Sequence, residues 1–146
     1  MAINYDEPIT FGVHGTANGL NCTGIDFSEQ GDQSWTVAPV AEMDLQLPFA
    51  RQDVICEIEA TPFTVPDQQL YGQKLFLFIG GLFVGFNNLR GHGISNFGVS
   101  RSAISARTMR MTLVIPDATS PASVSRSEDM RDLGIYLRTI VFRVAR

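Results

Sequence analysis

The sequence predicts an all-β fold, an antiparallel β-sandwich in one domain spanning residues 1–146. Three observations predict it. Apolar and polar residues alternate with a period of two in several short stretches. Gly and Pro punctuate the chain between those stretches. No stretch carries a helical period, and there is no internal repeat.

The first clear strand holds Ala41, Met43, Leu45 and Leu47, alternating with Glu42, Asp44 and Gln46. One face is dry and the other wet. Val54, Cys56, Ile58 and Ala60 alternate with Glu57 and Glu59 in the same way. Leu75-Phe76-Leu77-Phe78-Ile79 is a continuous apolar run, too short and aromatic for a helix, and reads as a strand covered on both sides. Gly80-Gly81 turns the chain, and Leu82-Phe83-Val84-Gly85-Phe86 returns as the second arm of a hairpin. A second hairpin is expected about Gly91-His92-Gly93, joining 86–90 to 94–99. One helical turn fits within 100–107. Met109, Met111, Leu113 and Ile115 form the next strand, which Pro116 ends. Residues 117–132 are rich in Ser, Pro, Asp and Arg and read as a long surface loop. In the last segment Ile135 and Leu137 share one phase, whereas Ile140, Phe142 and Val144 share the other. A period-two strand changes phase only by inserting a residue, so a bulge is expected near Arg138-Thr139; the alternative is a strand apolar on both faces.

A chain of 146 residues buries roughly 68–70% of its unfolded surface and needs neither metal nor disulfide to fold. The formal net charge is −4, and Lys74 is the sole lysine. That balance argues against nucleic acid as a partner, because such binding rests on released counterions. The N-terminus lacks the basic and apolar regions of a signal peptide. No apolar run approaches the ~20 residues of a membrane helix. The expectation is a soluble protein without membrane insertion, cytoplasmic or exported by a non-standard route. Cys22 and Cys56 have no Cys or His at metal-ligand spacing, and no calcium loop is present. The two cysteines would pair if they lay on neighbouring strands; Cys56 also reads as a small buried hydrophobe. No cofactor or metal is expected.

Catalytic signatures are missing. Gly-x-Ser-x-Gly, His-Glu-x-x-His, P-loop and dinucleotide patterns do not occur. Glu57 and Glu59 share a strand face rather than opposing each other across a cleft, as a glycosidase requires. The expectation is a protein that is not an enzyme. Binding chemistry is better represented. A sugar is held by a flat aromatic face under its C–H groups and by planar polar groups on its hydroxyls. Trp35 follows the polar turn Glu29-Gln30-Gly31-Asp32-Gln33-Ser34. It serves either as a stacking platform or as a core anchor. Ser125 to Arg131 places Arg126 and Arg131 beside Glu128 and Asp129. That loop is either a solvated set of ion pairs or a fork for a diol or anionic sugar.

Pro116-Asp117-Ala118-Thr119-Ser120-Pro121, followed by Ser127-Glu128-Asp129-Met130-Arg131-Asp132-Leu133-Gly134-Ile135-Tyr136-Leu137, resembles a signature of small jelly-roll domains. Those domains are attached to glycosyltransferases and related enzymes of bacterial cell-surface polysaccharide machinery. Glu29-Gln30-Gly31 with Trp35-Thr36, and the hairpin Leu77 to Gly85, are similar to further parts of that family. Gly80 stands where the family has Asn. The resemblance spans about residues 24 to 142 and implies a galactose-binding-like jelly-roll sandwich. Standing alone, such a domain resembles a bacterial lectin, and a homodimer through a strand edge or apolar face is expected, for avidity.

Two readings of the same residues follow. In a carbohydrate-binding lectin, Asp129 and Arg131 grip hydroxyls, Glu29 accepts from another and Trp35 forms a wall. Arg126 belongs to the same loop, and Arg90 and His92 would line a second edge. In a structural or assembly module of surface polysaccharide machinery, Asp129 and Glu29 hold Arg131. Losing a partner of a buried pair would then cost about 3–5 kcal/mol.

Overall fold

The structure is a computed structural model that describes residues 2–104 and 107–144. Its strands are β1 (Ile9–Thr10), β2 (Ile25–Asp26), β3 (Ser34–Thr36), β4 (Val40–Leu45), β5 (Val54–Pro62), β6 (Gln73–Ile79), β7 (Leu82–Leu89), β8 (Gly93–Val99), β9 (Met109–Val114) and β10 (Ile135–Val144). They form two antiparallel sheets. Sheet A runs β2-β3-β10-β5-β8, with β1 also paired to β10; sheet B runs β4-β9-β6-β7. This is the antiparallel sandwich that the alternation predicts and the jelly roll that the resemblance implies.

The core is the space between the two sheets. Cys56, Ile58 and Ala60 of β5 and Leu137, Ile140 and Phe142 of β10 face Met43, Leu75, Leu77 and Met111 of sheet B, all fully buried. Each comes from the dry phase of its strand, so the period of two in the sequence becomes the inward set in space. Burying a Leu, Ile, Met or Phe contributes about 1.5–3 kcal/mol. Cys56 is a free, buried thiol and Cys22 a free, half-buried one; no disulfide joins them.

The predicted bulge is present. The pairing of β10 with β5 shifts between Leu137 and Thr139, leaving Arg138 without an opposite residue. The Gly80-Gly81 turn joins β6 to β7, and both glycines have positive φ, 59° and 81°.

Three expectations need correction. β7 and β8 are not a hairpin: β7 pairs with β6 in sheet B, and β8 pairs with β5 in sheet A. The turn at 90–92 crosses the side of the sandwich. β6 is not covered by a second layer on both sides. Phe76 and Phe78 face outward and are half-buried only by their own sheet, against Phe86 at 4.9 Å and Phe83 at 5.5 Å between ring centroids. Residues 117–132 are not all loop, since Pro121–Val124 forms one turn of helix, α1. The helical turn expected in 100–107 is a 3-10 turn at Arg101–Ala103; Ser105 and Ala106 lie outside the described residues.

Candidate functional site

The site is built on the outer face of sheet A, and β3 shows why. Its three residues reverse the usual pattern. Ser34 and Thr36 are buried, and Trp35 between them is half-exposed. The buried hydroxyls have fixed partners, which is the condition for burying them cheaply. Ser34 Oγ accepts from Gly12 N–H at 2.8 Å, and Thr36 Oγ1 accepts from Ile135 N–H at 3.0 Å. With those two pinned inward, alternation forces Trp35 outward.

Pairing then extends a row across the sheet. Trp35 lies opposite Asp26 on one side and Tyr136 on the other. Tyr136 lies opposite Thr61. Thr61 Oγ1 and His92 Nδ1 share a 2.7 Å hydrogen bond. The rings of Trp35 and Tyr136 stack at 4.6 Å and 24°, and Phe63 meets Trp35 edge-on at 6.1 Å. Glu59 lies beside the row: His92 Nε2 is 2.9 Å from its carboxylate, and Arg138 is 3.4 Å away. The register sets Thr139 opposite Glu59, with the bulged Arg138 next to it, and the Thr139 hydroxyl is also within reach at 3.5 Å.

Above the ring pair, three carboxylates converge on one guanidinium. Arg131 donates to both oxygens of Asp129, the shortest contact being 2.7 Å. Its Nη1 donates to Asp26 at 3.0 Å and to Glu29 at 3.3 Å. The other oxygen of Glu29 accepts from the Tyr136 hydroxyl at 2.8 Å. Local turns hold these groups. Ser28 N–H donates to Asp26, Asp129 N–H donates to Ser127 Oγ, and Val13 N–H donates to the Glu29 carbonyl. Arg131 remains one-third exposed, at 34%.

The electrostatics follow from these bonds. The Arg131 hydrogen bonds pull the Asp129 carboxyl down from its ordinary 3.8 to about 2. Asp26 is also lowered, first by its bonds from Ser28 and then by Arg131. Arg131 is held more firmly charged, chiefly by Asp129. Tyr136 is raised by burial and by its bond to Glu29. Asp26 and Asp129 are therefore ionised and Tyr136 protonated at neutral pH.

Of the residues picked from sequence, Glu29, Trp35, Asp129 and Arg131 come together. His92 reaches the same sheet face through Thr61. Arg126 and Arg90 are exposed, and among the described residues no hydrogen bond or ion pair joins either to the cluster. Sequence reasoning missed Asp26, Thr61, Phe63 and Tyr136. Tyr136 lies within Leu133 to Leu137, where the sequence alone marks it only as a strand residue. Gly134 beside it has a packing role, because a Cβ there would lie 2.8 Å from Thr36 Oγ1 and 2.9 Å from Ile115.

Comparison with solved structures places this architecture. A β-1,3-glucan-binding family 6 carbohydrate-binding module from Bacillus halodurans superposes with a TM-score of 0.57 at 16% identity, covering 99% of this chain and 100% of that one. The chain shares the fold of family 6 carbohydrate-binding modules. A module from Clostridium stercorarium in complex with cellobiose gives 0.55 at 9% identity, covering 99% of this chain and 98% of that one. A module of Cellvibrio mixtus lichenase 5A in complex with cellotriose gives 0.53 at 11% identity, with both chains fully covered. No family model matches the sequence, and no curated protein matches it either. Among the described residues no helix is long and apolar enough to cross a membrane.

Proposed function

We propose that this chain is a non-catalytic carbohydrate-binding module whose ligand lies on the outer face of sheet A. The observation that carries the reading is the row Trp35, Tyr136, Thr61 and His92, two stacked rings continued by hydrogen-bonding groups across neighbouring strands. Ring faces suit the C–H side of a sugar, and Thr61, His92 and Glu59 suit its hydroxyls. The carbohydrate ligands of the solved structures that share the fold support it.

The roles differ from those expected of the loop residues. Arg131 spends its donors on Asp129, Asp26 and Glu29. It acts as a brace that holds Glu29, and through Glu29 the Tyr136 ring. The contact surface is the aromatic row rather than the Asp129–Arg131 fork. With four of its five N–H hydrogens on carboxylates, Arg131 favours part of the second reading, in which the cluster is structural, without removing a binding surface beside it. The resemblance of residues 116–137 to domains of surface-polysaccharide machinery supports a bacterial cell-surface glycan as ligand. A homodimer belongs to the same proposal, since two platforms gain avidity on a repeating ligand.

A glycan array followed by calorimetry tests it. Binding of a β-glucan or related oligosaccharide that disappears in Trp35→Ala, with the fold intact, is the expected result. Absence of binding to any saccharide would overturn the reading.

A further inference from the structure

The four sheet edges are treated very differently. β2, at one edge of sheet A, is only two residues long and carries Asp26. β4, at one edge of sheet B, carries Glu42 and Asp44 and is covered: Thr23 and Glu42 exchange both backbone hydrogen bonds, and Asp44 N–H donates to the Leu20 carbonyl. β7, at the other edge of sheet B, is bulged where its pairing with β6 shifts. Short length, charge, cover and bulges are the usual protections of an edge strand. β8, the remaining edge, has none of them. It runs Gly93-Ile94-Ser95-Asn96-Phe97-Gly98-Val99, without charge, proline or bulge, in register with β5 over all seven residues. Among the described residues no strand lies beyond it.

We propose that β8 pairs with β8 of a second copy of this chain, antiparallel, about a two-fold axis through Asn96 and perpendicular to the sheet. That register pairs all seven residues and keeps inward side chains opposite inward ones. It also matches shapes. Ile94, 58% exposed, points outward, and so does Gly98 four residues on. An added Cβ at Gly98 would meet nothing. The two-fold sets each Ile94 against the other copy's Gly98, so each apolar knob fills the space the glycine leaves. Asn96 meets its own symmetry mate, where two amides can exchange hydrogen bonds. An isologous contact of this kind closes on itself and consumes the open edge.

The interface is small. A seven-residue strand is about 23 Å long, and across a two-layer sandwich the contact buries roughly 900 Å² in total, the low end for specific association. The dimer is therefore weak and reversible. Because the axis is perpendicular to the sheet, both outer faces of sheet A point the same way. The two Tyr136–Trp35 pairs then lie about 35–45 Å apart on one continuous sheet, because each is also displaced about four residues along the strands from the axis. The pairing itself needs nothing from the carbohydrate reading; the shared orientation matters only if that reading holds.

Sedimentation equilibrium on the whole chain should give a monomer–dimer equilibrium. Asn96→Lys, which sets like charges opposite each other, should shift it to monomer with an unchanged melting curve. Asn96→Cys should cross-link under mild oxidation, since opposite Cα atoms of an antiparallel pair lie about 4.5–5.5 Å apart, within disulfide reach. Ile94→Cys should not, its two copies being about 14 Å apart. A wild-type protein still monomeric at several hundred micromolar would overturn the proposal. So would an Asn96→Lys dimer as tight as wild type, or equal cross-linking at positions 94 and 96. Failure to bind glycans leaves all of these readouts unaffected and bears on the function alone.

Discussion

The two outer faces of this sandwich are both aromatic, yet they differ in kind. On sheet A, Trp35 and Tyr136 are interleaved with Thr61, His92, Glu59 and Arg138. On sheet B, Val40, Val114, Phe76 and Phe86 form one row across four strands, and Phe78 and Phe83 continue the next. The sheet B rings carry no polar atoms. A sugar needs an apolar surface and hydroxyl partners in the same few ångströms. Sheet A carries polar groups on both sides of its ring pair, whereas on sheet B they stand at one end of a single row, Thr112 and Glu42 beside Phe78, and bond to each other at 3.3 Å. Aromatic content alone therefore does not identify a carbohydrate site; the pattern of polar neighbours does.

Four substitutions would break or sharpen that contrast. Trp35→Ala should have the largest effect on binding. Truncating a central aromatic anchor costs about 2–3 kcal/mol, so affinity measured by calorimetry should fall roughly 30- to 100-fold. Arg131→Ala should act mainly on stability. The guanidinium is one-third exposed, so the cost lies below that of a fully buried pair, about 2 kcal/mol, or a drop of roughly 6 °C in Tm. The effect should depend on pH in a defined direction. Asp129 is depressed to about 2 from 3.8 in the fold, so its contribution is complete above pH 4 and fades as pH falls toward 2. The Tm gap between wild type and Arg131→Ala should therefore hold from pH 7 to 5 and shrink below pH 4. A gap that widened in acid would mean that the brace assignment is wrong.

Thr61→Val comes next. It keeps the shape of the strand but removes the hydroxyl beside Tyr136 and His92, a loss of about 1 kcal/mol and roughly fivefold in affinity. Phe86→Thr on sheet B is the smallest and the most telling control. Phe86 is half-exposed, so the variant should lose at most about 1 kcal/mol of stability and keep its sugar affinity within twofold. A large loss of binding there would move the site to the other face.

The sequence showed the sandwich more clearly than the site, for physical reasons. Alternation is a local signal, so β4, β5 and β9 could be read directly, and the phase change between Leu137 and Ile140 betrayed the bulge. Whether a turn stays within a sheet or crosses to the other one is not local, and β7 and β8 were misjudged for that reason. The site was half visible. Glu29, Asp129 and Arg131 stood out by charge, but Arg131 is also paired with Asp26, which is 105 residues away. Trp35 stayed ambiguous because a lone tryptophan is usually buried. The deciding signal was available in its neighbours: two hydroxyl residues flanking one large ring suggest a strand turned polar side inward. Tyr136 and Thr61 are ordinary strand residues until pairing sets them side by side.

The bulge at Arg138 has one more consequence. On its far flank from β5, β10 pairs with β3 at Tyr136 and Leu137, and with β1 at Thr139 and Ile140. The extra residue thus falls where one neighbour hands over to the next. It acts as a splice between two reading frames of a single strand, the first presenting Tyr136 on the outer face and the second seating Ile140 and Phe142 in the core. Deleting Arg138 would do more than remove a charge. It would slide one frame against the other and force the strand to choose between its surface and its interior, whereas substitutions at 138 leave both in place.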